Sequence, residues 1–409
     1  MADSNTQDIT TETLKQLFPI RNLSEEILIS FAADKHIETV SAGTTLFSLN
    51  QPADSAIYLL GGKVELSDQN GKSYEIEAGS AQAKFPLCSG VKHSTTATAK
   101  TAINILRVSL NIMAATNKVE HRGLEIADEF HDNRLLTLFA NQYQDHELEI
   151  PSLPEVAINL RRAIEKDVSI ADAVKIIQLD PVISAKIIEV ANCPLYLTMV
   201  RASNCHDAVR RIGLNATRSL VTSLSMKKIF RTKSPLLKQH LEALWRQSLY
   251  LSVLCHVLAS SSQQKNPEDA LLAGLVCDIG ALPFLSFVAN LPAEYINDAE
   301  IKQAIPVIKG VVGAAVFKEW AFPKEFIDVA LSSSNWFQNS SEELSLTDIV
   351  VLSRLHAQIG KKSSADIPAI TAIPATSKLK NMALSPENSL AILHDAKAKI
   401  QDALSIFLK

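Results

Sequence analysis

Asp278 lies in the middle of the apolar run Asp269–Pro283, with Cys277 directly before it. A carboxylate in such a run needs a metal, a cation or a tight set of hydrogen bonds to hold it. A divalent cation would make the run half of a hydrolytic centre, because a bound metal neutralises substrate charge and lowers the pKa of an attacking water. Such a centre needs at least three protein ligands, with imidazole and carboxylate as the suitable types. A nucleophilic thiol at Cys277 would instead need an adjacent base and a depressed pKa. The neighbouring acid works in the opposite direction, so Cys277 is expected to be a small buried residue.

Other groups with chemical capacity are weaker candidates. The literal His-Asp pairs His131–Asp132, His206–Asp207 and His394–Asp395 lie outside apolar helix runs and read as surface helix or caps. Arg161–Arg162 and Arg210–Arg211 fall on amphipathic helices and read as solvated faces rather than nucleic-acid contacts. The five cysteines, Cys88, Cys193, Cys205, Cys255 and Cys277, lack paired C-x-x-C spacing, as expected of reduced thiols packed as small hydrophobes.

The chain that must position these groups has 409 residues, long enough for two or three domains. Apolar residues make up 47% and charged residues 21%, the balance of a soluble globular protein. A net charge of -4 argues against nucleic-acid binding by bulk electrostatics. The polar, acidic start Met1–Asp8 is unlike a signal peptide. No uninterrupted apolar run reaches the roughly 18 residues of a membrane span. A cytoplasmic protein is expected, with no membrane and no nucleic acid among its partners.

Leu14–Phe18 and Ser24–Ala33 read as two short helices. The period then shortens. Ile37–Val40, Thr45–Phe47, Ala56–Leu60, Lys63–Ser67, Ser73–Ile76, Thr95–Ala99 and Ile103–Val108 are β-branched-rich strands, with a hairpin turn at Asn70–Gly71. Short strands joined by tight turns predict an antiparallel roll. Val40–Phe47 followed by Tyr58–Leu66 resembles the β-roll of cyclic-nucleotide-binding domains over roughly residues 15–115. The resemblance implies a cassette with a Gly-Glu pair and an arginine for the cyclic phosphate. This chain reads Gly79–Leu87 without that pair, and Lys92-His93-Ser94-Thr95 where the arginine belongs. The fold is expected to be retained and the nucleotide lost.

Lys118–Gln144 is helical in period, with Leu124, Ala127, Leu135, Leu138 and Phe139 on its apolar side; it reads equally as a helix that transmits the roll's state or dimerises and as a plain inter-domain helix packed on a neighbour. From Pro151 the chain is helix after helix. Ser152 and Ser169 read as capping-box residues, Asp180–Pro181 as an N-cap with first-turn proline, Gly213 as a helix stop and Asn215 as the next cap. Ser345–Ala357 reads as a helix, Lys361–Ser377 as an irregular connection, and Ser385 opens a last amphipathic helix.

Leu153–Val156, Ile176–Ile188, Ala191–Asn192, Ala208–Leu214, Leu244–Ser248, Ala273–Gly280 and Val312–Pro323 follow one another in an order similar to HDOD domains, over most of residues 145–409. These are all-helical signalling modules related to the HD phosphohydrolases. The resemblance implies histidine and aspartate metal ligands, and it places Gln247, Cys277 and Lys309 where histidines belong. Ser332–Asn335 stands where paired histidines are expected, and Asp278 alone is retained.

The expected architecture is therefore a multidomain α+β chain. A cyclic-nucleotide-binding-like β-roll spans 1–116, a helical connector 117–147 and an all-α HDOD domain 148–409. The expected function is non-catalytic signal transduction. Gln247, Cys277, Asp278 and Lys309 would form a vestigial pocket without catalytic residues, metal or cofactor, and Asp278 would pair with Lys309. Other signalling proteins are the expected partners, and 118–144 the candidate homodimer helix. The alternative is a metal-dependent phosphodiesterase acting on a nucleotide or cyclic dinucleotide.

Overall fold

The computed structural model describes residues 7–18, 20–23, 25–68, 72–87, 92–109, 124, 126, 130, 132–144, 149–193, 196, 200–230, 234–292, 295–358, 367–380 and 401. Cys88, the turn at Asn70–Gly71, His131, His394–Asp395 and the amphipathic stretch opened by Ser385 lie outside these residues.

Among the described residues, eight strands form two four-stranded antiparallel sheets. The strands are β1 (Gln7–Asp8), β2 (His36–Val40), β3 (Thr45–Phe47), β4 (Ser55–Gly61), β5 (Lys63–Ser67), β6 (Ser73–Glu77), β7 (Thr96–Ala99) and β8 (Ile103–Ser109). Their orders are β1-β2-β8-β4 and β3-β7-β5-β6. Strand alternation explains the layering. Along β4, Ile57 and Leu59 point into a core shared with Val64, Leu66, Ile76, Ala97 and Ile105. Ala56 and Tyr58, on the other face, pack under Leu14, Leu17, Leu28 and Phe31. The Tyr58 hydroxyl, fully buried, donates to the Phe18 carbonyl at 2.7 Å.

The helices over that face are α1 (Thr11–Leu14) and α2 (Glu25–Asp34). The first starts earlier than the periodicity predicts, because Thr10 is its N-cap and accepts from the Thr13 amide.

Among the described residues, the helices that follow in the chain are α3 (Arg134–Gln144), α4 (Glu155–Ile164), α5 (Ile170–Gln178), α6 (Pro181–Ala191), α7 (Cys205–Ile212), α8 (Leu214–Met226), α9 (Pro235–Ser262), α10 (Pro267–Val276), α11 (Ala281–Ala289), α12 (Asp298–Glu319), α13 (Lys324–Ser332) and α14 (Leu346–Gln358). Ser169 and Asp180 cap α5 and α6 as predicted. Ser152 does not cap α4. Pro154 stands at that boundary without a side-chain cap, since a residue preceding proline is kept out of the helical region. Nor does Asn215 cap α8: Gly213, at φ 87 and ψ 154, ends α7 and starts α8 in one residue.

Within the expected connector, α3 buries Leu135, Leu136 and Phe139. Phe139 meets Phe284 and Phe287 edge-on, at 5.3 and 5.5 Å between ring centroids. Leu138, predicted on the apolar side, is 37% exposed.

Among the described residues one stretch, Pro267–Ala289, is long and apolar enough to cross a membrane, and 89% of its most apolar window is buried within the protein. It is broken into α10 and α11 by a turn at Cys277–Gly280.

By packing, the chain forms two compact units. Met1–Glu120, Asn335–Leu344 and Arg354–Ile392 make one; His121–Ser334, Ser345–Ser353 and Leu393–Lys409 make the other. Within the first unit, the late segments meet Tyr74 on β6, Phe85 and Ser94. The expected irregular connection there contains a 3-10 turn, Ile370–Ala372, and a short helix, α15 (Pro374–Ser377).

Candidate functional site

The α10–α11 corner presents Asp278, and α12 crosses it with Lys309. The Lys309 Nζ lies 3.0 Å from the Asp278 Oδ1, with the two side chains 17% and 6% exposed. Close approach of the two elements makes the pair. A Cβ at Gly280 would stand 2.3 Å from both the Lys309 carbonyl oxygen and the Gly313 amide nitrogen, so only glycine lets α12 sit this near the corner. The expected Asp278–Lys309 pairing is thus present as an ion pair with little water around it.

The other expected pocket residues behave differently. The Cys277 thiol is buried and donates to the Gly274 carbonyl of its own helix at 3.2 Å. Gln247 lies exposed on α9. Asn335 accepts from the Phe337 amide at 3.0 Å in a local turn, and Ser333 is buried. Among the described residues, no three His, Cys, Asp or Glu side chains gather where they could hold a metal ion. Cys193, Cys205, Cys255 and Cys277 are buried, with no disulfide among the described residues.

His206 is exposed in the first turn of α7, and Asp207 accepts there from the Ser203 hydroxyl at 2.8 Å. The arginine pairs are not simply solvated faces. Arg161 donates to the Trp320 carbonyl at the end of α12, at 2.6 Å. Arg211 donates to the Ala191 carbonyl at the end of α6, at 2.9 Å, and also to the Val200 carbonyl. Both cations satisfy carbonyls at helix C-termini, which carry partial negative charge.

A second polar cluster was missed by sequence reasoning. The Tyr196 hydroxyl donates to Glu268 Oε1 at 2.9 Å, and His256 Nε2 lies 3.8 Å from the same oxygen. His256 and Glu268 are 5% and 9% exposed. Burial alone would raise the Glu268 pKa, but the bonds from His256 and Tyr196 outweigh it and hold the carboxyl below its ordinary value. Burial, then the Glu268 charge, pushes the Tyr196 phenol well above its ordinary value. Nothing in the spacing marks this set, since His256 is on α9, Glu268 opens α10 and Tyr196 follows α6. The one legible signal is Asn266-Pro267-Glu268, a cap that places the acid in the first turn of α10.

Residues 150–336 match the HDOD domain family. An uncharacterized protein of Treponema pallidum (strain Nichols) is 24% identical over 204 residues, a match covering 47% of this chain and 39% of that protein. The chain thus spans about two fifths of that relative's length. Among solved structures, a protein of Shewanella amazonensis SB2B, provisionally named a metal-dependent phosphohydrolase, is 26% identical. The match covers 67% of this chain and 98% of that one, with a TM-score of 0.57. An HDOD domain protein of unknown function from Geobacter sulfurreducens shares the fold at 19% identity, covering 68% and 99% of the two chains with a TM-score of 0.51. The chain joins N-terminal antiparallel sheets to a helical region, and that region, at residues 150–336, is an HDOD domain.

Proposed function

We propose that this chain is a non-catalytic regulatory protein of bacterial signal transduction, in which a degenerate cyclic-nucleotide-sensor roll is coupled to an HDOD domain that offers a protein-binding surface. The observation that carries the reading is the ion pair of Asp278 with Lys309 at 3.0 Å. An ammonium group beside the one retained acid repels a divalent cation and satisfies the carboxylate that would otherwise bind it. Gln247, Cys277 and Lys309 supply no imidazole, and Cys277 spends its proton on the Gly274 carbonyl. This donor set does not fit a hydrolytic metal, so no hydrolytic step is routed through it.

In this reading Gln247, Cys277, Asp278 and Lys309 mark a vestigial pocket whose residues now serve packing. Its partners are other signalling proteins, met in the cytoplasm, and neither nucleic acid nor membrane is bound. A homodimer formed through 118–144 would use the face of α3 that leaves Leu138 exposed, since the opposite face packs on α11.

The second reading, a metal-dependent phosphodiesterase acting on a nucleotide or cyclic dinucleotide, is favoured by the name of the Shewanella amazonensis relative. Metal analysis of the purified full chain, with a phosphodiesterase assay in manganese, separates the two. Substoichiometric metal and no turnover are expected; stoichiometric metal with turnover would overturn the non-catalytic reading.

A further inference from the structure

Two stretches of the roll correspond to the places where a cyclic nucleotide would be held, Gly79–Leu87 and Lys92–Thr95. Both are met, within the same compact unit, by residues from the far end of the chain. Phe85 in the first stretch is 1% exposed, and its ring centroid lies 6.1 Å from that of Phe337. Ser94 in the second donates its hydroxyl to the Thr371 carbonyl at 2.8 Å. The Tyr74 hydroxyl on β6 bonds to the Thr371 hydroxyl as well.

The segment so held is built for burial. The Thr376 hydroxyl donates to the Ile370 carbonyl at 2.7 Å, closing the 3-10 turn onto α15. Ile370, Ala372, Ile373 and Ala375 are at most 5% exposed. Burial of Ile370 and Ile373 supplies the apolar contact, and the hydroxyl bonds at Thr371 fix where the segment sits. The hydrogen bonds that fasten Thr371 come from neutral hydroxyls. They suit a peptide carbonyl and a threonine side chain, whereas a phosphate would be met by a bidentate cation.

We propose that Ile370–Ser377, together with Phe337, is an internal ligand of the roll: it takes the cassette face in place of a diffusible nucleotide and holds the roll in an autoinhibited, ligand-independent state. The inference rests on reading the roll as a relative of nucleotide sensors. Release of this segment, rather than nucleotide arrival, is then the event by which the roll changes state, and it would free chain that follows the HDOD match.

The test is hydrogen exchange read by mass spectrometry on the full-length chain. In Tyr74→Phe/Ser94→Ala, protection of peptides spanning 367–380 should fall about tenfold, the effect of losing two neutral hydrogen bonds, while peptides from α9 keep theirs. Unchanged protection at 367–380 overturns the proposal. The unmodified chain supplies a second arm, in millimolar cyclic AMP. No change at either 79–95 or 367–380 is expected. Saturable protection of 79–95 with 367–380 still protected overturns the internal ligand. Protection of 79–95 with loss at 367–380 supports displacement of an internal ligand while overturning the reading that nucleotide binding has been lost.

Discussion

Replacing Lys309 with methionine isolates the interaction at the centre of the HDOD domain. The substitution keeps the length of the side chain and removes its charge, leaving Asp278 ionised among apolar residues. Removing one partner of a buried ion pair costs about 3–5 kcal/mol. Because the Lys309 side chain is 17% exposed, the lower end, about 3 kcal/mol, is expected. At about 2–4 °C per kcal/mol for a domain of this size, the melting temperature should fall by about 6–12 °C. Asp278→Asn is expected to cost less, about 1 kcal/mol, since the stranded ammonium has a flexible stem that can swing its head towards water. The double variant Asp278→Asn/Lys309→Met carries neither charge and should be close to Asp278→Asn alone, giving a coupling of about 3 kcal/mol in the double-mutant cycle. Thermal melts followed by tryptophan fluorescence measure this, because Trp245 and Trp320 are buried in the same unit. A coupling below about 0.5 kcal/mol would refute the argument, showing the pair to be no stronger than an exposed one.

Gly280→Ala places a methyl group 2.3 Å from two backbone atoms of α12, and should cost about 3 kcal/mol by overpacking or abolish soluble expression; a melt within about 1 °C of the unmodified chain would count against the close approach. Glu268→Gln should be destabilising at neutral pH by about 1.5–3 kcal/mol, as for a bond to a charged group. The folded state holds the Glu268 carboxyl below its ordinary value, so its stabilisation is complete above that value and is lost as pH falls through the folded one. Melting curves of the two proteins should therefore converge in acid, and a gap that stays constant from neutral pH down to acid would contradict the assignment.

Much of the fold was legible because it follows from local rules. Lys63–Ser67 reads as a strand from β-branched alternation, and β5 has those bounds. Ser169 and Asp180–Pro181 read as helix starts because a side-chain acceptor must meet free amides, and both do so. The same rules erred where two local signals competed. Pro154 overrode Ser152, and Gly213 took the boundary that Asn215 would have capped.

The candidate site was legible in part for a related reason. A lone acid in an apolar run demands a counter-charge whatever the fold. Lys309 could be named because the family resemblance supplied the position on another helix.

Residue types and their near neighbours were enough to give most of the elements, the acid isolated in an apolar run and, with the family resemblance, the absence of imidazole at the expected ligand positions. The tertiary structure alone decided that Tyr196, His256 and Glu268 meet, that Arg161 and Arg211 turn inward to helix ends, and that Thr371 seats on Ser94 and Tyr74. Each of these joins groups from different elements, and Ser94 and Thr371 are 277 positions apart. No periodicity encodes such a contact; it exists only once packing has brought the backbones together.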